Sequence, residues 1–213
     1  MSEKPKNVGK QTIDQLAKKY EEENKKINNT GLEIAQQIGN IAGEIKKSGK
    51  FDPKKIQEYT GKIKDHVVKT YGLKSEDDNY WLEKGIGFNE SMVLKNILEG
   101  QVEGIKTGKT IGNIVSDESF QQGQNDFKSY KIQSSVNPED VYKPEVFKEL
   151  GLNNVDPNKA PEVIGITDMA NFAYIKQQGE DMSQIEKSLL NQPQTRLALK
   201  DSYVSKNLKQ KGK

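Results

Sequence analysis

TIDQLAKKYEEENKKINNTGLEIAQQIGNIAGEIKK, residues 12–47, decides the fold class. Within it Ile13, Tyr20, Ile27, Ile34 and Ile41 recur every seven residues. Ala17, Gly31, Ile38 and Ile45 fill a neighbouring row four residues on. Residues three, four and seven apart share one face of an α-helix, so this pattern predicts an amphipathic helix running to about Lys47. Thr12 with Gln15 resembles a capping box at its start, and Asn29-Thr30-Gly31 is the place for a bend. A sustained heptad suggests coiled-coil-like packing. Glu23, Asn24 and Thr30 interrupt the apolar stripe, which favours a helical hairpin or bundle over an extended rod.

The surroundings extend the same reading. Ser48-Gly49-Lys50 breaks the helix, and Asp52-Pro53 restarts it, with Asp as N-cap and Pro in the first helical position. The next helix carries Ile56, Tyr59, Ile63, His66 and Val67 on one face and ends at Tyr71-Gly72. Its short connection favours antiparallel packing on the first helix. Ser75 caps a short acidic helix through Tyr80, Trp81 and Leu82. Asn89 caps another, bearing Met92, Val93, Asn96, Ile97 and Gly100. Asp117 to Asp126 reads as a loop or weak helix, and Tyr130, Ile132 and Val136 as a short extended segment. Pro138, Pro144, Pro157 and Pro161 then punctuate the chain, with Asn137-Pro138 and Lys143-Pro144 each starting a helical turn. Thr167 caps a helix with Met169, Phe172 and Ala173. Ser183 with Glu186 forms a second capping box, and Pro193 opens a last helix.

The expected fold is therefore all-α: a flexible arm over 1–11, a helical hairpin or bundle over 12–116, a smaller proline-punctuated helical region over 117–205, and a basic tail over 206–213. Ile, Leu, Val and Phe make up about 23% of the chain, close to the level at which disorder becomes the expectation. A net charge of +2 does not force the chain open. A thin core is expected, and a partner could supply part of the missing burial.

Composition excludes several classes of chemistry. The chain has no cysteine, which removes disulfides, thiol nucleophiles and thiolate zinc sites. His66 is the single histidine, so a two-histidine metal site would need another chain. No cofactor is expected. Arg196 is the single arginine among many lysines. Arginine supplies bidentate recognition of phosphate and guanine and lysine only a point charge, which argues against a sequence reader of nucleic acid. Met1 to Gln11 is polar, without the apolar core of a Sec-type signal. The longest apolar runs, such as Met92-Val93-Leu94, fall far short of the ~20 residues of a membrane span. The expected location is the cytoplasm, or delivery by a route without a Sec-type signal.

Glycine spacing is the sharpest local feature. Gly100, Gly104, Gly108 and Gly112 recur every four residues, and Gly39 with Gly43 forms a shorter pair. On a helix each set would make a smooth stripe. Each glycine costs roughly 1 kcal/mol against alanine there, so a packing reason is wanted. The expected packing and interaction residues are Gly39, Gly43, Gly100, Gly104, Gly108, Gly112, Ile34, Ile38, Ile41 and Trp81.

The candidate chemistry is thin. Gly104 to Thr110 reads GIKTGKT, but a P-loop needs glycine five residues before Gly108, where Glu103 stands. Asp77-Asp78-Asn79 and Asn154 to Asn158 lack the glycine and the final glutamate of an EF-hand loop. His66, three residues after Ile63, reads as a packed, hydrogen-bonded histidine before it reads as a base or pH switch. Carboxylates are abundant and pair by chance, so Glu83 and Glu90 near Trp81 read as solvated helix faces before they read as an acid/base pair suited to glycan cleavage. Asn89-Glu90-Ser91 is similar to the Glu-Ser of lysozyme-like transglycosylases, but the glycine and glutamine signature expected downstream is missing, so the likeness does not reach a family. The lysines of the tail, with Lys4, Lys6 and Lys10, read as solvated ends.

The expected function is a non-catalytic helical interaction or structural protein: a subunit, adaptor or delivered accessory factor of a bacterial secretion or conjugation system or a phage, with a protein partner or self-association. The alternatives are a carboxylate-based glycan-cleaving enzyme on a helical fold and a weak nucleic-acid-binding accessory protein.

Overall fold

A computed structural model describes residues 7–49, 52–74, 76–77, 112 and 114–196. The protein is all-α, with no strand among the described residues. The helices are α1 (Val8–Ser48), α2 (Pro53–Tyr71), α3 (Glu118–Gln133), α4 (Pro138–Val141), α5 (Pro144–Leu150), α6 (Ile166–Gln177) and α7 (Met182–Asn191), with a 3-10 turn at Ala160–Glu162.

Helix α1 runs 41 residues without interruption, and Asn29-Thr30-Gly31 lie inside it. It begins one turn before Thr12, whose hydroxyl donates to the Val8 carbonyl at 3.0 Å from inside the helix instead of capping it. Residues 8–11, expected in an arm, form this first turn. Helix α2 starts and stops as its local chemistry dictates. The Asp52 side chain accepts from the Lys54 amide at 3.0 Å, and Pro53 occupies the first turn. At the other end Gly72 takes a left-handed φ of 64°, a conformation that a Cβ would strain. That turn lets the Leu73 amide reach back to the Val68 carbonyl and bury the Leu73 side chain.

The chain divides into two compact units, and the division falls inside α1 and inside α3. One unit comprises Asn24–Tyr130. Its core joins Ile27, Ile34, Ala35, Ile38 and Ile41 of α1 to Ile63, Val67 and Tyr71 of α2 and to Phe120 and Phe127 of α3. Tyr71 meets Phe127 edge to face at 4.8 Å between ring centres. Glu33 bonds His66 and Glu44 bonds Tyr59, so α1 and α2 run antiparallel. Helix α3 occupies a stretch expected to be a loop or weak helix over Asp117 to Asp126, which the helix bears out, and then an extended segment through Tyr130 and Ile132, which it replaces. Its apolar spacing is weak, but Phe120, Phe127 and Ile132 are fully buried. Burial of large apolar side chains at helical spacing outweighs the low helix propensity of Gly123, Asn125 and Ser129.

The other unit comprises Met1–Glu23 with Lys131–Lys213. Helix α6 packs against α4, α5 and α7. Met169, Ala170, Phe172 and Ala173 bury its inner faces, beside Ile13, Leu16 and Ala17 of α1. Asn137 caps α4 by accepting from the Glu139 amide at 3.1 Å, as Asn137-Pro138 led one to expect. Two other expected caps belong to different residues. Gly165 precedes α6, and its amide donates to the Asp168 carboxylate at 3.1 Å, which places Thr167 inside the first turn. Asp181 caps α7 by accepting from the Ser183 amide at 2.9 Å. Glu186 turns away and accepts from the amide and side chain of Asn154 at 3.1 and 2.9 Å.

Candidate functional site

The sequence-derived positions separate into those the structure describes and those it does not. Gly100, Gly104, Gly108, Trp81, Glu83 and Glu90 lie outside the described residues. Ile34, Ile38 and Ile41 are each 2% exposed and share a core with Ile63 and Val67. Gly39 is buried in α1. Gly43 and Gly112 are exposed, and a Cβ added to either would meet no described atom within 4 Å.

Two glycines outside the expected set do hold close approaches. At Gly9 an added Cβ would lie 2.5 Å from the Glu145 carbonyl oxygen and 2.8 Å from its carbon. At Gly31 it would lie 1.8 Å from the Gln124 amide nitrogen. Nothing in the spacing marks Gly9. Gly31 sits in the heptad row of Ile38 and Ile45, and a glycine among larger side chains in a packed row was the available signal.

His66 departs from its expected setting. The buried stripe of α2 runs through Ile63, Val67 and Tyr71, and His66 lies on its flank, 46% exposed in its side chain. There its Nε2 bonds the Glu33 carboxylate of α1. The Tyr59 hydroxyl donates to Glu44 in the same way, and this bond raises the pKa of the phenol above its ordinary value.

A cavity of about 280 Å³ lies in the unit built on residues 1–23 and 131–213, between α1 and the turn into α4. Its apolar lining is Leu16, Val136 and Val141. Its polar lining, Gln15 apart, serves the fold. Thr12 donates to Val8 and Ser135 to the Ile132 carbonyl at 3.0 Å. Asn137 caps α4, Asp140 accepts from Lys143 at 2.5 Å, and Lys19 pairs with Glu23 at 2.8 Å. A smaller cavity of about 50 Å³ between α1 and α2 is lined by Glu44 and Tyr59, bonded to each other, and by Asp52, which caps α2.

Elsewhere too, side chains with chemical potential join one element to another. Gln177 donates to Asp14 at 2.6 Å, Asn7 to Glu149 at 2.7 Å, and the Tyr142 hydroxyl to the Ile164 carbonyl at 2.6 Å. Burial, and then the Asp168 charge, push the Tyr20 and Tyr142 phenols above the ordinary value. Among the described residues no three His, Asp or Glu side chains converge as a metal ion would require. No described helix is long and apolar enough to cross a membrane.

No family model matches this chain, and no curated protein or solved structure matches it either.

Proposed function

We propose that the chain is a non-catalytic helical interaction or structural protein, acting as a subunit, adaptor or delivered accessory factor of a bacterial secretion or conjugation system or a phage. One observation supports this reading above others. The described carboxylates and amides that bond across the chain are engaged one against one, as Glu33 with His66, Glu44 with Tyr59, Asp14 with Gln177 and Glu186 with Asn154. Each pair fastens two elements together. A hydrolytic site would instead aim two carboxylates at a common space. The continuous α1 adds support, since one helix supplies core residues to both units.

The test is affinity capture with crosslinking from the source cell, read by mass spectrometry, beside sedimentation of the purified chain. A stoichiometric protein partner, or a defined oligomer, is the expected result. It should survive Glu83→Gln and Glu90→Gln. A folded monomer that captures nothing, yet cleaves polysaccharide in a manner abolished by either substitution, would overturn the proposal in favour of the glycan-cleaving alternative. Capture that collapses with rising salt and with removal of residues 206–213 would favour nucleic acid.

A further inference from the structure

The apolar pattern of α1 repeats every seven residues, and α3 offers Phe120 and Phe127 at the same interval. Two such surfaces match almost equally well after one helix slides by a heptad, about 10 Å along the axis. Hydrophobic burial therefore does not choose between the registers, and something that occurs once must.

The contact between α1 and α3 within the Asn24–Tyr130 unit contains such a feature. Ala17, Asn24, Gly31, Ile38 and Ile45 form one heptad row of α1. Only Gly31 in this row leaves a gap, and the Gln124 side chain fills it, with its amide nitrogen where the missing Cβ would be. From there Gln124 donates to the Ile27 carbonyl at 3.4 Å. One turn further along α3, and one heptad back along α1, the Lys128 ammonium donates to Asn24 at 3.5 Å. Lys128 is only 8% exposed. A heptad slip would set Gln124 against Asn24 or against the branched side chain of Ile38, and would part Lys128 from Asn24. Buried polar groups that lose their partners are costly.

We propose that Gly31 and Gln124, with Asn24 and Lys128, are a register lock that selects one heptad alignment of α3 on α1. These contacts are long and add little to stability. Their effect lies in penalising the neighbouring alignments, as single polar positions do in coiled coils.

The absence of native cysteine allows a direct test. Asn28 and Asn125 are exposed on α1 and α3, and cysteines introduced at both can carry spin labels. The full chain should give one interlabel distance. With Gly31→Ala and Gln124→Leu added, the lock is gone and the apolar surfaces remain, and a second population displaced by about a heptad should appear. A single unchanged distance in that variant, with helicity retained, would overturn the proposal. Should the variant not fold, Gln124→Leu alone serves for the distance measurement, judged by the same two outcomes. A mutant cycle must agree. Gly31→Ala should raise the folding constant about fivefold when Gln124 is already alanine, and should lose that gain when Gln124 is present. Equal effects in both backgrounds would also overturn it.

Discussion

Replacing Gly9 and Gly43 by alanine, one at a time, should change stability in opposite directions, although both lie in α1. Alanine in a helix interior is favoured over glycine by about 1 kcal/mol. At Gly43 no described atom lies within 4 Å of the new methyl, so the gain should be realised in full, about fivefold in the folding constant. At Gly9 the methyl would meet the Glu145 carbonyl oxygen at 2.5 Å, its carbon at 2.8 Å and Glu149 Cγ at 3.0 Å. Two of these atoms are backbone of α5, so no rotamer change relieves the contact. The helices must separate by roughly 1 Å or more to restore ordinary contact near 3.5 Å. Overpacking of this kind costs about 1–3 kcal/mol. Gly9 also lies in the first helical turn, where frayed ends reduce the benefit of alanine. The net expectation for Gly9→Ala is a loss of about 1–2 kcal/mol. Urea unfolding followed by circular dichroism gives both values. Hydrogen exchange at Phe147 and Leu150 of α5 provides the local reading, with protection falling in Gly9→Ala and holding in Gly43→Ala. If Gly9→Ala were as stabilising as Gly43→Ala, the close approach of α1 and α5 would be wrong.

Tyr142→Phe should cost about 1–2 kcal/mol, because the Ile164 carbonyl, in a residue 1% exposed, loses its 2.6 Å donor; unchanged urea unfolding would refute this. Thr30→Val should stabilise the chain by about 1 kcal/mol, since the buried Thr30 hydroxyl has no hydrogen-bond partner among the described residues. A fall in melting temperature would show that the hydroxyl is bonded. Stability should pass through a maximum in alkaline solution. Burial lowers the Lys128 pKa from its ordinary 10.5, so as pH rises through the folded value toward 10.5 the unfolded chain binds more protons and stability increases. Tyr20 and Tyr142 are raised above 10.0, so above pH 10 the unfolded phenols ionise first and stability falls. Lys128→Met should flatten the rise and leave the fall; a parallel pH profile for this variant would contradict the assigned burial.

Much of the fold was legible because it is written in local chemistry. The heptad of Ile13 to Ile41 marks α1, Asp52-Pro53 and Gly72 bound α2, and Asn137-Pro138 opens α4. Each of these signals acts within a turn or two of chain. The misread positions share the opposite property. Ser183 and Thr167 are reasonable caps by residue type, but Asp181 and Gly165 occupy those places because the neighbouring loops fix where each helix begins. Helix α3 has little periodicity of its own and is helical because Phe120, Phe127 and Ile132 find burial against distant residues. His66 lies one residue short of the buried stripe, and its partner Glu33 is far away in sequence.

The sequence by itself determined that this protein is all-α, that its long first helix is amphipathic, and that thiol and paired-histidine chemistry are closed to it. Those follow from periodicity and composition, which need no knowledge of neighbours. Tertiary structure alone decided which glycines admit another segment, which carboxylates bond which partners, and how α1 is shared between two cores. The reason is that a glycine's gap or a carboxylate's charge is identical at every position in the chain. What distinguishes Gly31 from Gly43 is a Gln124 amide some ninety residues away, brought there by burial that no local pattern records.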